Sequence, residues 1–230
     1  MQRALGRISG AALVLGSIVG LVFNAMHPRD VDFSNYAESI LGEVNGSSNW
    51  VGIHLGLTLA IVLVVLGLAG LSRSIQGDVG AALARLGFVS ALLGGGLVLV
   101  VLAIDGIAAR ALAQNWAAAT GDGKDVALAA GGAIVSIGLG LLAIANIVNF
   151  GFTAILFGTA VVASTNYPKL LGWVGVVTGT ASLLVGVFIA FDGVLTAETL
   201  TAFVVTSIAF TVWLLILGFQ LWGKSASATT

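Results

Sequence analysis

The chain has 230 residues, of which 58% are hydrophobic and 8% are charged, with a formal net charge of −1 and a mean hydropathy of +1.10. Soluble domains carry about 25% charged residues, so lipid is the expected solvent for most of this surface. The absence of cysteine from the sequence excludes disulfides, thiolate metal sites and cysteine nucleophiles. The sequence has no basic run, so we expect the lipid bilayer and no nucleic acid as a partner.

Charged residues divide the sequence into six long uncharged windows. Each window allows a helix to cross ~30 Å of hydrocarbon with ~20 residues, and none shows the two-residue alternation of a membrane β-barrel. The sequence therefore predicts an all-α polytopic membrane protein, with residues 1–230 forming a single membrane domain built as a six-transmembrane-helix bundle. The predicted helices lie near 8–26, 51–72, 84–117, 126–164, 170–191 and 200–222.

The first predicted helix has the basic start and apolar run that also characterise a secretory signal. Its apolar run is longer than the ~7–15 residues of a typical signal, and Phe23 and Ala25 form a poor cleavage site. We therefore expect the first helix to be retained as a membrane span.

The distribution of basic residues predicts the orientation. With both termini inside, six basic residues face the cytoplasm and three face outward, as the positive-inside rule requires. We expect a prokaryotic cell-membrane protein that is N-in and C-in. The six inner basic residues are Arg3, Arg7, Arg73, Arg85, Lys169 and Lys224, and the three outer ones are Arg29, Arg110 and Lys124.

Helices three and four are predicted to be longer than the membrane is thick. The uncharged window between Asp125 and Lys169 would run about 60 Å as one helix at 1.5 Å per residue. We expect a long extracytoplasmic hairpin between helices 3 and 4, with its turn at 120–125. The membrane-embedded parts of its arms are expected at 84–105 and 140–164.

Regular pairing within this hairpin places residues whose numbers sum to about 243 opposite each other. The apolar flank at 126–138 is expected to be covered by the segment 27–50 or by a partner protein, because an apolar surface of this kind is rarely left bare. Within the covering segment, residues 34–45 have the spacing of an amphipathic helix, with Glu38 and Glu43 turned away from the apolar face. This helix would cover a cavity or simply connect two spans.

Three ionisable side chains are expected at the outer membrane level. His27 ends the first span, His54 begins the second, and Asp105 ends the embedded part of the third. One interpretation is an interfacial carboxylate with two hydrogen-bonded histidines, because charges cost little at the end of a span. Another is a metal site, since imidazole suits zinc, copper and iron, or a haem with two axial histidines. If the three residues form one site, they should converge beneath segment 34–45.

A second polar group lies within the bundle. Asn146, Asn149 and Thr153 share one stripe of the fourth helix, and Gly94–Gly96 are expected opposite them. Interhelical packing with hydrogen bonds and a polar lining for a small ligand cavity both fit this pattern. The small-xxx-small pairs Gly16/Gly20, Gly52/Gly56 and Gly175/Gly179 predict helix contacts within the chain, a homo-oligomer or a membrane-protein partner.

Two segments resemble small multipass membrane proteins of bacteria and archaea that form families of unknown function. Trp50 and His54 match a Trp-x-x-x-His start of the second helix, and Pro168, Leu171 and Gly172 match a Pro-x-x-Leu-Gly start of the fifth. The resemblance implies a six-helix architecture and no particular activity.

No catalytic template is found in the sequence, and no span carries a charge near its middle. We therefore assign no catalytic residue and no cofactor. The leading hypothesis is non-catalytic binding or movement of a small apolar or lipid-like molecule, or a role as an accessory membrane subunit. The alternative is a metal- or haem-binding redox enzyme that uses the outer histidines.

Overall fold

The computed structural model describes the backbone of residues 2–227 and the side chains of residues 4–224; over this range the chain is all-helical, without a strand. A 3₁₀ turn at Phe33–Asn35 precedes the second helix. Two π-helical segments, Ile104–Ala108 and Asn146–Phe152, join α4 to α5 and α6 to α7. The α-helices are α1 (Gln2–Met26), α2 (Tyr36–Gly46), α3 (Trp50–Ser74), α4 (Asp78–Ala103), α5 (Ala109–Ala118), α6 (Asp122–Ala145), α7 (Thr153–Ala163), α8 (Lys169–Asp192) and α9 (Ala197–Ser227).

Six continuous helices within the described residues are long and apolar enough to cross a membrane. This finding confirms the predicted helical bundle with six candidate spans. Large apolar side chains on the outside of the bundle, such as Leu170 and Phe191, are 77% and 87% exposed. The six helices are Ala4–Met26, Trp50–Ser74, Asp78–Ala118, Asp122–Ala163, Lys169–Asp192 and Ala197–Lys224.

The third and fourth of these helices are the longest, with 41 and 42 residues. A short turn joins them, and Gly121 in this turn has φ +55°, a backbone conformation that favours glycine. Gly94 packs directly on Asn149: a Cβ added at Gly94 would lie 2.7 Å from the Asn149 Cβ. The two numbers sum to 243, which agrees with the pairing register expected for the two arms.

Glycines bring the helices of one chain into close contact. A Cβ added at Gly16 would lie 2.9 Å from the Leu63 Cβ, and one at Gly175 would lie 2.7 Å from the Trp213 Cε2. The Trp213 indole N–H also donates to the Leu171 carbonyl at 2.8 Å, which links α9 to α8. Gly16 and Gly175, taken from two of the small-xxx-small pairs, therefore serve packing within this chain.

At the C-terminus of α3, polar contacts join the last residue of the helix to the loop that precedes α8. The Tyr167 and Ser74 hydroxyls are 2.7 Å apart, and the Asn166 amide donates to the Ser74 carbonyl at 2.8 Å. The Lys224 ammonium lies 3.4 Å from the centroid of the Tyr167 ring. The titratable cluster described below lies at the opposite end of α3.

Candidate functional site

His54 is held in the first turns of α3 by its neighbour Trp50. The two residues are four apart and therefore lie on one helix face. The His54 Nδ1 is 2.8 Å from the Trp50 carbonyl oxygen, and the side chain of His54 is 2% exposed. A carbonyl oxygen can only accept a hydrogen bond, so Nδ1 donates and the Nε2 atom of His54 points away toward the third membrane helix.

Asp105 lies in the π-helical segment Ile104–Ala108, and its Oδ2 atom is 3.0 Å from the His54 Nε2. The Trp50 indole N–H donates to the Asp105 backbone carbonyl at 2.8 Å. The next residue, Gly106, allows this approach, because a Cβ there would lie 2.6 Å from the His54 Cγ. The Asp105 side chain is 38% accessible because it borders a cavity.

His27 completes the cluster from the end of α1. Its Nδ1 is 2.7 Å from the Pro28 carbonyl, and its Nε2 is 3.8 Å from the Asp105 Oδ2. The His27 and His54 ring centroids are 5.1 Å apart in an edge-to-face contact. Burial lowers the pKa of His27, but the Asp105 carboxylate and the Pro28 carbonyl together raise it by more, so the pKa lies above its ordinary value.

The helix α2 covers this cluster and contacts α5 and α6. Leu41 and Val44 are fully buried and pack with Trp50 and Ala113. The Arg110 guanidinium donates to the carbonyl oxygens of Val44, Asn45 (3.0 Å) and Ser47 (3.2 Å) at the end of α2. Arg110 thus satisfies carbonyls that a helix end leaves without an intrahelical partner.

The apolar flank of α6 is partly covered by the same helix. A Cβ at Gly131 would lie 2.9 Å from the Leu41 Cδ2, and one at Gly132 would lie 3.5 Å from the Ala37 Cβ. The segment 27–50 therefore covers the middle of the flank, as expected, while Val126 at its start is 71% exposed.

A cavity of about 280 Å³ lies between α1, α3, α4, α6 and α9 and beneath α2. His27, His54 and Asp105 all line it. Most of its remaining wall is aliphatic or aromatic. Representative apolar lining residues are Leu57, Ile61, Val98, Leu142, Phe203 and Leu214.

The face of α2 that lines the cavity corrects one expectation from the sequence. Tyr36, Ile40 and Glu43 follow helical spacing and line the cavity together, whereas Glu38 is exposed. Glu43 was expected to turn away with Glu38, but its position seven residues after Tyr36 returns it to the same face. Burial raises the pKa of Glu43, and burial with the nearby acids raises the pKa of Tyr36 to about 12.

The structure does not join Asn146 and Asn149 to this cluster. Asn149 lines the cavity opposite Gly94, eleven residues before Asp105, which is about 16 Å along a helix. Asn146 is fully buried, is not a lining residue, and donates from Nδ2 to the Leu142 carbonyl at 3.0 Å. Both residues occupy the second π-helical segment, where Asn149 packs against a neighbouring helix.

The donor set of the cluster could hold a cation. One donor atom each from His27, His54 and Asp105 lie within 4.8 Å of one another. Axial ligation of a haem would require the two imidazoles on opposite faces of a macrocycle. The direct contact between the two rings does not favour that arrangement.

Three features of the site were not identified from the sequence. Trp50 contacts both His54 and Asp105, Gly106 permits their approach, and Arg110 holds the covering helix. Two signals in the sequence could have indicated them: Gly106 directly follows Asp105, and Trp50 precedes His54 by one helical turn. The π-helical turn around Asp105 has no comparable signature in a single sequence.

Comparison of the chain with models of known protein families, with curated proteins and with solved structures found no match.

Proposed function

We propose that this chain is an integral membrane protein that binds a small amphipathic, lipid-like molecule in the cavity beneath α2. The observation that carries the proposal is the composition of the cavity wall, which is apolar along most of its length and ionisable at one end. Its volume of about 280 Å³ lies near the lower end of the ~300–1,000 Å³ range of small-molecule sites.

The two ends of the cavity suit the two parts of such a ligand. An acyl or prenyl chain would contact Leu57, Val98 and Phe203, which offer no hydrogen bonds. The polar group would lie beside His27 and Asp105, where donors and acceptors are available. A few placed polar groups in an otherwise apolar pocket usually fix the orientation of a ligand.

The experiment tests whether ligand binding depends on the free volume of the cavity. Gly138 lines the cavity and a Cβ there has ordinary contact with Ile104 at 3.9 Å, so Gly138→Leu should fill part of the cavity without forcing the helices apart. We expect at least a tenfold loss in binding of a fluorescent short-chain fatty acid or isoprenoid alcohol to purified protein.

Gly140→Leu is the matched control, because Gly140 is exposed on the same helix and a Cβ there meets nothing within 4 Å. It should bind the probe as the unaltered chain does. Equal binding by both variants, or no binding by the unaltered chain, would contradict the proposal.

We further propose a prokaryotic cell membrane as the location, with both termini inside and the His27 cluster at the outer face. The basic-residue bias supports this orientation. Because the chain has no cysteine, Lys124→Cys and Lys224→Cys each introduce a single reactive thiol. A membrane-impermeant maleimide should label the first in intact cells and the second only after permeabilisation; the reverse pattern would invert the orientation.

In this orientation the two long helices would project from the outer leaflet. A 41-residue helix is about 60 Å long, about twice the ~30 Å of a hydrocarbon core. Asp105 lies 20 residues, or about 30 Å, after Arg85, which supports a position near the outer interface. The bilayer would then surround the exposed apolar faces, and the tip at 120–125 would stand in water.

A further inference from the structure

We propose that His27, His54 and Asp105 form a binding site for a divalent transition-metal ion of the zinc type. The proposal goes beyond ligand binding in the cavity and stands without it, since it concerns the protein's own donors. Three donor atoms, from the residue after α1, from α3 and from the π-helical segment, lie within 4.8 Å of one another although none is near the others in sequence.

The hydrogen bonds of the two imidazoles leave both Nε2 atoms directed at one carboxylate. Each Nδ1 atom contacts a backbone carbonyl, of Pro28 at 2.7 Å and of Trp50 at 2.8 Å, and must donate to it. In a neutral imidazole the other nitrogen then carries a lone pair. Both lone pairs and the Asp105 Oδ2 would face one another, at 3.0 Å for His54 and 3.8 Å for His27.

A proton on each Nε2 atom, or one cation between the three donors, would supply the positive charge that this arrangement needs. A divalent cation accepts electron pairs from all three donors at once, so it replaces both protons with a single ion. In metal sites, a ligating histidine usually donates its second ring N–H to a carbonyl or carboxylate. Both histidines already do so here.

The donor types and distances select the class of metal. Two imidazole nitrogens and one carboxylate oxygen suit zinc, whereas calcium and magnesium prefer oxygen ligands throughout. Zinc–ligand bonds of about 2.0–2.2 Å place tetrahedral donors roughly 3.3 Å apart. The two separations that involve Asp105, 3.0 and 3.8 Å, bracket this value, and all three donors lie within 4.8 Å of one another, so the two imidazoles would close toward a bound ion. The fourth position is left for water or for the polar group of a ligand in the cavity.

Trp50 acts as a positioning residue for this site. Its carbonyl fixes the ring of His54, and its indole N–H fixes the backbone of Asp105. Trp50→Phe keeps the carbonyl and removes the indole donor. Loss of such an outer hydrogen bond typically weakens metal binding 10–100-fold.

The test uses the full chain purified in detergent with an affinity tag that contains no histidine. After chelator treatment, Zn²⁺ titration followed by elemental analysis should give one ion per chain, and Co²⁺ should give the visible d–d bands of a tetrahedral site. His27→Gln and Asp105→Asn should weaken Zn²⁺ binding at least tenfold, and Trp50→Phe should weaken it while the chain stays folded. Asp192→Asn is the control, because Asp192 is the exposed last residue of α8 and is not one of the three donors. This variant should bind Zn²⁺ as the unaltered chain does.

X-ray absorption of the Zn²⁺-loaded unaltered chain gives a second measurement that needs no variant. Two imidazole ligands in the first coordination sphere are expected. Substoichiometric Zn²⁺, a spectrum without imidazole, or equal binding by the Asp105→Asn variant would overturn the proposal and leave a proton-shared ion pair. Binding of Zn²⁺ without binding of the fatty acid probe would support this site and contradict only the proposed function.

Discussion

Substitution of Gly106 by alanine tests the close contact between α3 and the π-helical segment. The added Cβ would lie 2.6 Å from the His54 Cγ, whereas carbon atoms pack at about 3.5–4.0 Å. The two helices must therefore separate by about 1 Å, which stretches the contact between His54 and Asp105. Overpacking of this kind costs about 1–3 kcal/mol.

Gly96→Ala provides the matched comparison. Gly96 lies in α4, is exposed, and a Cβ there meets nothing within 4 Å. Alanine is favoured over glycine inside a helix by up to about 1 kcal/mol, so this variant should be as stable as the unaltered chain or more stable. A difference of 1 kcal/mol corresponds to about 2–4 °C for a chain of this size.

The assay is the thermal unfolding of both variants in the same detergent, followed by tryptophan fluorescence. We expect Gly106→Ala to melt several degrees below Gly96→Ala. The reasoning would be refuted if Gly106→Ala melted at or above the temperature of Gly96→Ala, because the helices would then accommodate a methyl group between His54 and the π-helical turn.

Two further predictions concern α2. Burial raises the pKa of Glu43 above its value in the unfolded chain, so the ionised carboxylate destabilises the folded state near pH 7. Glu43→Gln removes that charge and should therefore raise the melting temperature slightly at this pH. This gain should disappear below the ordinary carboxyl pKa of about 4.3, where Glu43 is protonated in both states. Glu38→Gln, which changes an exposed residue of the same helix, is the control for the loss of one charge from α2. Arg110→Gln removes charged donors from the end of α2 and should cost about 1.5–3 kcal/mol of local stability, measured as faster amide exchange in α2. Lys124→Gln, which loses a ring contact with Trp116 but no bond to α2, should leave that exchange unchanged.

The spans could be predicted from the sequence because the cost of burying charge in lipid acts on each residue separately. Six uncharged windows were sufficient to find six apolar helices. That His27, His54 and Asp105 lie at one end of the bundle followed from the same argument, since each lies near the end of a window.

The partners of these residues could not be predicted, because they depend on how the helices rotate and approach each other. Sequence gives no helix order, so the contact between Asp105 and His54 was one arrangement among several. Asn149 illustrates the limit: its register with Gly94, and so its distance along the helix from Asp105, followed from pairing the two long helices, but that it lines the same cavity became evident only in three dimensions. The helical pattern likewise predicted that Glu43 faces away from the apolar side of α2, whereas Glu43 lines the cavity.

The π-helical turn Ile104–Ala108 also determines which way the following helix faces. An α-helix advances by 100° per residue, so a turn that holds one additional residue shifts the azimuth of every later side chain. Arg110 and Ala113 face α2 in this shifted azimuth. Conversion of the turn to regular α-helix without a change in chain length would rotate both by about 100° away from α2. The turn that places Asp105 beside His54 therefore also determines whether the helix after it can hold the cover of the site.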